Sequence, residues 1–202
     1  MRAGIVGIGL GVLLAGGSLA EAFSVSYEQD MRVPQTAAVH ANVWVKDELF
    51  KMEMTFNGHT TIMIRNPEGV FSYLPSEGLA MRLPTLERAQ RPPEGLDDYQ
   101  AYLHNLQARL VRTETIRGML CDVYVFNDPK DGASTTVWAW REHTFFPVRF
   151  EIARPGQEGV TTIELTNIKF GPLDDSVFTL PAGVRLMDMG SLQIPDQLGQ
   201  DH

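Results

Sequence analysis

The chain has 202 residues, a formal net charge of -8 and a pI near 5.1, which excludes the basic surface by which proteins hold nucleic acid and disfavours anionic membrane surfaces. Hydrophobic residues make up 44% of it, enough for one packed core. A single cysteine, Cys121, leaves no intramolecular disulfide, so packing has to carry the stability.

The N-terminal segment reads as an export leader. Met1-Arg2 is a short basic start, residues 3–20 carry no charge, and Ala20-Glu21-Ala22 supplies the small-x-small pattern of a processing site. Residues 1–22 are therefore expected to be removed, leaving a soluble chain in an exported compartment with no membrane span. Leu14-Ala15-Gly16-Gly17 resembles the approach to a lipoprotein cleavage site, but Gly17 stands where the lipid-bearing cysteine belongs, so no acyl anchor is expected.

Alternating runs at 23–30, 37–45, 49–56, 60–65, 69–74 and 79–83 come next. The turn-forming stretches "DE", "NGH", "NPEG" and "SEG" separate most of them, the signature of an antiparallel meander. From Pro84 the alternation stops, and the proline-rich run 84–95 reads as a linker. In "LDDYQAYLHNLQARL", Leu96, Tyr99, Leu103, Leu106 and Leu110 recur at three- and four-residue spacings. That predicts one amphipathic helix over 96–110, capped by Asp97 and Asp98.

Strands resume at 111–116, 119–126, 134–140, 146–153 and 160–170. Cys121, in "MLCDVYVF", reads as a small buried hydrophobe with no basic neighbour to activate it. "GPLDDSVFTLPAGV" reads as a capping turn that lays Phe178 and Leu180 on an apolar surface, with Asp174-Asp175 as its cap. Residues 191–202 read as a flexible tail. The predicted fold is mostly β: a single curved antiparallel sheet of about eleven strands over 23–190, with one helix as lid or plug.

Side chains two apart in a strand share a face. Sorted that way, Trp44, Phe50, Met52, Met54 and Phe56 group together. So do Ile62 and Ile64, Leu79, Met81 and Leu83, Trp138 and Trp140, Val148, Phe150 and Ile152, and Ile163 and Leu165. Lys51, Glu53, Thr61, Arg65, Arg82, Arg149, Glu151, Thr162 and Glu164 fall on the wet side. One helix cannot cover so wide an apolar face, so the sheet has to curl, either into a filled core or into an open half barrel with an apolar groove. The methionines tilt the reading toward an adaptable lining.

No residue pattern announces catalysis or a cofactor. The histidines have no second ligand at metal spacing, there is no HExxH, GxSxG or phosphate-cradling glycine loop, and the paired aspartates stand where caps belong. No catalytic residue, metal or cofactor is assigned.

Several stretches together resemble the LolA-like family of periplasmic lipoprotein and lipid carriers. "FSVSYEQ" is similar to that family's first strand, "VWVKDELFKMEM" to its tryptophan-lysine strand and the next, "NPEGVFSYLP" to its hairpin, and "DDSVFTLPAGV" to its closing turn. "KMEM", "RGMLCDVYVF", "VWAWREHTFFPVRFE" and "TNIKFGPLDDSVFTLP" bring it nearest to an uncharacterised exported branch. In the carriers an arginine follows the tryptophan-lysine element and ties down the lid; here Asp47 follows Lys46. The carriers also begin with a helix before the first strand.

The resemblance implies a non-enzymatic binding protein that holds a lipid or acyl chain in the concave face of a half barrel. The groove residues would be Phe50, Met52, Met54, Phe56, Ile62, Ile64, Met81, Trp138, Trp140, Phe150, Ile152, Ile163 and Leu165, with Leu96, Tyr99, Leu103, Leu106 and Leu110 as lid. An envelope interaction or stress-sensor module that binds a protein partner is the alternative. N-terminal sequencing of the exported protein should begin at Phe23; a start at Met1 in envelope fractions would remove the leader reading.

Overall fold

Short turns dictate how this chain folds back on itself. The computed structural model describes residues 23–83, 98–128 and 132–188. The expected leader (1–22), the proline-rich run 84–95, Leu96 and Asp97, and the expected tail (191–202) lie outside them. Two-residue connections close the hairpins at 47–48, 57–58, 67–68 and 117–118. Asn57-Gly58 and Arg117-Gly118 have positive φ at both positions, the left-handed pair whose twist matches that of paired strands.

The strands are β1 (Ser24–Arg32), β2 (Val39–Lys46), β3 (Leu49–Phe56), β4 (His59–Asn66), β5 (Gly69–Leu74) and β6 (Leu79–Leu83), then β7 (Arg109–Ile116), β8 (Met119–Asn127), β9 (Ser134–Trp140), β10 (Phe146–Ala153), β11 (Thr161–Phe170) and β12 (Arg185–Asp188). One helix, α1 (Tyr99–Asn105), stands between β6 and β7. The twelve strands form one curved sheet, not closed into a barrel, in the order β12-β6-β5-β4-β3-β2-β1-β11-β10-β9-β8-β7. Neighbours are antiparallel except β12, which lies parallel to β6.

Eleven of these strands match the alternating runs. The twelfth goes beyond them: β12 follows the predicted capping turn and extends the β6 edge, a pairing between residues about a hundred positions apart that no local pattern announces. The capping turn itself is present. Asp174 accepts from the Ser176 backbone N–H at 2.8 Å and starts a 3-10 turn over Asp175–Phe178, whose Phe178 is buried.

The helix is shorter than its stripe. Asp98 caps it by accepting from the Ala101 N–H at 3.0 Å. It ends where Gln107 turns left-handed (φ 53) and the Ala108 N–H reaches back to the Leu103 carbonyl at 2.9 Å, a Schellman closure. Leu106 is thus the half-buried C-terminal cap, and Leu110 belongs to β7 with 49% exposure. Among the described residues of the expected lid stripe, only Tyr99 and Leu103 are buried.

The largest correction concerns the faces. A two-residue hairpin turn pairs even-numbered residues with odd-numbered ones, so alternation carried straight across the turn changes side. Met52 faces Met63 and Lys51 faces Ile64; Ile62 and Ile64 therefore share a side with Lys51 and Glu53, and Thr61 and Arg65 one with Met54 and Phe50. Trp44 likewise lies opposite Lys51, and its ring sits 5.0 Å under the Lys51 ammonium. In the second half, Phe150 pairs with Val137, which puts Trp138 and Trp140 on the reverse side. A bulge between Pro147 and Arg149 sends Val148 there too.

Both sides of the sheet therefore hold apolar layers. On the helix side, Val25, Tyr27, Ala41, Val43, Val45, Phe50 and Leu165 pack with Tyr99 and Leu103. On the reverse side, Cys121, Val123, Trp138 and Val148 form a second cluster, and Ile64 and Phe71 are buried on the arm where the Phe178 turn packs on β3 and β4. Lys46 ties that turn down, donating to the Leu173 carbonyl at 2.8 Å and pairing with Asp175 at 2.6 Å; Asn66 donates to the Phe178 carbonyl at 2.9 Å.

Leu103→Ala should cost about 2–5 kcal/mol by leaving a cavity under α1, whereas Leu110→Ala should change stability by less than about 0.5 kcal/mol. Urea unfolding of both variants checks it; equal losses would place Leu110 back in the helix stripe.

Candidate functional site

The helix-side face divides in two. Over β1, β2, β10 and β11, Tyr99 and Leu103 of α1 join the buried cluster of Val25, Tyr27, Val43, Val45 and Leu165, with Phe150 and Ile163 half-buried beside it: the Tyr99 ring meets Phe150 edge-on at 6.4 Å and Tyr102 at 5.3 Å. Burial pushes the phenols of Tyr27 and Tyr99 well above their ordinary value, so both stay neutral. Over β3 to β6 the same face is only half covered. Register aligns Met52, Met63, Ser72, Met81 and Met187 in one row across five neighbouring strands.

Met52, Met63 and Met81 are half-buried and Met187 is 45% exposed. Beside this row lie Met54, Leu79 and Leu83 on the same face, also half-buried, and Phe56, exposed at the strand end. Flexible thioethers in a file make a surface that reshapes around what it touches.

Of the sequence-predicted groove residues, Phe50, Met52, Met54, Phe56, Met81, Phe150, Ile152, Ile163 and Leu165 share the helix side by register. Ile62, Ile64, Trp138 and Trp140 do not. Sequence grouping misses Met63, whose odd number sets it apart from Met52 until the turn length is counted. Arg65 joins this face at its end, held at 2.9 Å by Glu48. Near the other edge of the face, the buried Asp122 accepts from Thr113 at 2.7 Å and pairs with Arg141 at 2.8 Å.

On the reverse face, the Trp138 indole N–H donates to Glu114, whose other oxygen accepts from Arg112 at 2.7 Å. The guanidiniums of Arg149 and Arg112 stand 4.9 and 5.6 Å from the Trp138 ring. The Arg112 hydrogen bond first, then the Trp138 one, holds the Glu114 carboxyl below its ordinary range. The Cys121 thiol, fully buried beneath this layer, is pushed up by burial. Among the described residues no group of three or more His, Cys, Asp or Glu is placed to hold a metal ion, and no helix is long and apolar enough to cross a membrane.

No protein-family model matches the chain, and no curated protein does. Solved structures do. An uncharacterised conserved protein from Thermus thermophilus superposes with a TM-score of 0.56 at 13% identity, over 82% of this chain and 90% of that one. MucB, in its complex with MucA from Pseudomonas aeruginosa, superposes with a TM-score of 0.52 at 13% identity, over 79% of this chain and 56% of that one, and MucB has a LolA-like fold. The fold is LolA-like. At such identities the likeness extends to architecture alone, and this chain spans little more than half of the MucB chain. A LolA superfamily protein from Nitrosomonas europaea aligns more loosely, with a TM-score of 0.33 at 16% identity, over 79% of this chain and 90% of that one.

Within this LolA-like sheet, the Glu114 cluster gives a pH test. A carboxyl with a lowered native pKa adds stability above its ordinary value of 4.5 and loses it as pH falls through the native value. Glu114→Gln should therefore destabilise the protein at pH 7 and converge with the parent once the pH has fallen below the lowered native pKa, as read by thermal melts across pH. A constant difference at every pH would assign the effect to packing.

Proposed function

We propose that the chain is an exported, non-enzymatic binding protein of the periplasm, with residues 1–22 as its leader and 23–190 as its working domain. It holds a lipid acyl chain or another apolar chain against the half-covered helix-side strip of β3 to β6. The observation that carries this reading is the methionine row Met52, Met63, Met81 and Met187, apolar, adaptable and not sealed by α1 among the described residues. A filled core selects well-defined rotamers; a file of half-buried thioethers suits a changing occupant.

The site then comprises Phe50, Met52, Met54, Met63 and Met81, with Phe150, Ile152, Ile163 and Leu165 lining the part nearest α1. Tyr99 and Leu103 form the underside of the lid, whose docking contributes roughly 1.5–3 kcal/mol per fully buried side chain. The lid would shift when an acyl chain competes for that surface.

A protein partner is the second reading, favoured by one finding: MucB, which shares the fold, is seen in complex with MucA. Native mass spectrometry of protein from its own envelope separates the two, through co-purified lipid against a stoichiometric polypeptide.

Met54→Glu should abolish binding of a fluorescent fatty acid, since it places an unpaired charge on the strip at a position open enough for the fold to survive. Glu53→Gln, one residue away on the reverse face and paired with Lys51 at 2.8 Å, should leave binding intact. Equal effects from the two changes would sink the assignment of the strip.

A further inference from the structure

The reverse face carries a second feature, remote from the apolar strip. Beside the ladder that joins β1 to β11, Ser26 lies between Trp44 on β2 and Lys169 on β11, and in the next row Glu28 lies opposite Asn42. The small serine between two long side chains leaves a dent. The register between β1 and β11 slips at this point, and Asn167 stands in the left-handed region with φ 49, turning a carboxamide to the same place. The resulting open pocket, of about 160 Å³, has the volume of about five water molecules.

What marks this dent is how little of its polar capacity the fold consumes. On the reverse face generally, charges are matched: Lys51 with Glu53, Arg149 with Glu151, Arg112 with Glu114, Lys46 with Asp175. Glu28 and Lys169 flank one pocket, yet among the described residues their side chains make no ion pair or hydrogen bond, and neither do those of Asn42 and Asn167. Glu28, Lys169, Asn42 and Asn167 line one small space together with Trp44. Bulges that re-aim side chains in this way recur at binding sites.

We propose that this pocket binds a small zwitterion of the α-amino-acid class. Lys169 takes the ligand carboxylate, Glu28 its ammonium, Asn42 and Asn167 its remaining donors and acceptors, and the Trp44 ring its side chain. A pocket lined by one acidic and one basic residue suits a molecule that carries both signs a few bonds apart, and charge-assisted hydrogen bonds at both ends give orientation as well as affinity.

The test is a titration of the mature chain with alanine, followed by proton–nitrogen NMR at the Trp44 indole and the Asn42 and Asn167 carboxamides. Saturable shifts are expected with alanine and none with N-acetyl-alanine methylamide, which keeps the shape and lacks the charges. Glu28→Gln and Lys169→Gln, both surface changes, should each weaken binding about tenfold or more while leaving the rest of the spectrum and fatty-acid binding unchanged. No saturable shift with alanine, an equal response to the uncharged amide, the same shifts from glucose, or indifference to both substitutions would each overturn the assignment.

Discussion

The antiparallel ladder between β1 and β11 is the pairing on which the rest of the structure depends. Without it the chain would be two separate meanders, β1 to β6 and β7 to β11, each with local hairpins and an unpaired edge. Pairing Val25 with Phe170 and Arg32 with Thr162 makes one sheet of them, wide enough to curl. It also puts β6 and β7 toward opposite edges of the sheet. The helix α1 stands between them in sequence, and its Tyr99 and Leu103 belong to the buried cluster of Val25, Tyr27 and Val43 at the joint. Long-range ladders of this kind form only after a large loop has closed, so the joint also carries the main entropic cost of the topology.

Curling such a sheet leaves two surfaces with different problems. Among the described residues, the helix side has one short helix and more apolar area than that helix covers, which leaves the methionine row half-buried. The reverse side is closed piecemeal: at one end the Phe178 turn is pinned by Lys46 and Asn66, and at the other Trp138, Val123 and Cys121 are roofed by Arg112, Arg149 and Glu114. Lys46 therefore secures a cover on the side away from the helix. It ties down the chain that follows β11.

The division of labour between faces also separates the two proposed binding chemistries. Apolar contact depends on the even-numbered residues of β3 and their partners, and the polar pocket on the even-numbered residues of β1 and β2, which point the opposite way. Thin sheets allow this because neighbouring residues in a strand serve different solvents.

From the residues alone, the eleven longer strands, their hairpin turns, the cap at Asp98, the buried Cys121 and the Phe178 turn are all legible, because each depends on a local period or a turn residue. The LolA-like architecture is legible too, from short motifs kept in order. What only the tertiary structure decided is which alternating set faces which side. Each two-residue turn and each bulge inverts or shifts the count, so simple alternation groups Ile62, Ile64, Trp138 and Trp140 with Phe50 although the register turns them away. The same physics hides β12, whose partner is distant in sequence, and the early stop of the helix at Gln107, where a backbone hydrogen bond ends a stripe that the leucines alone would continue. Composition and period say that a surface is apolar; only the register of strands brought together by long loops says where that surface points.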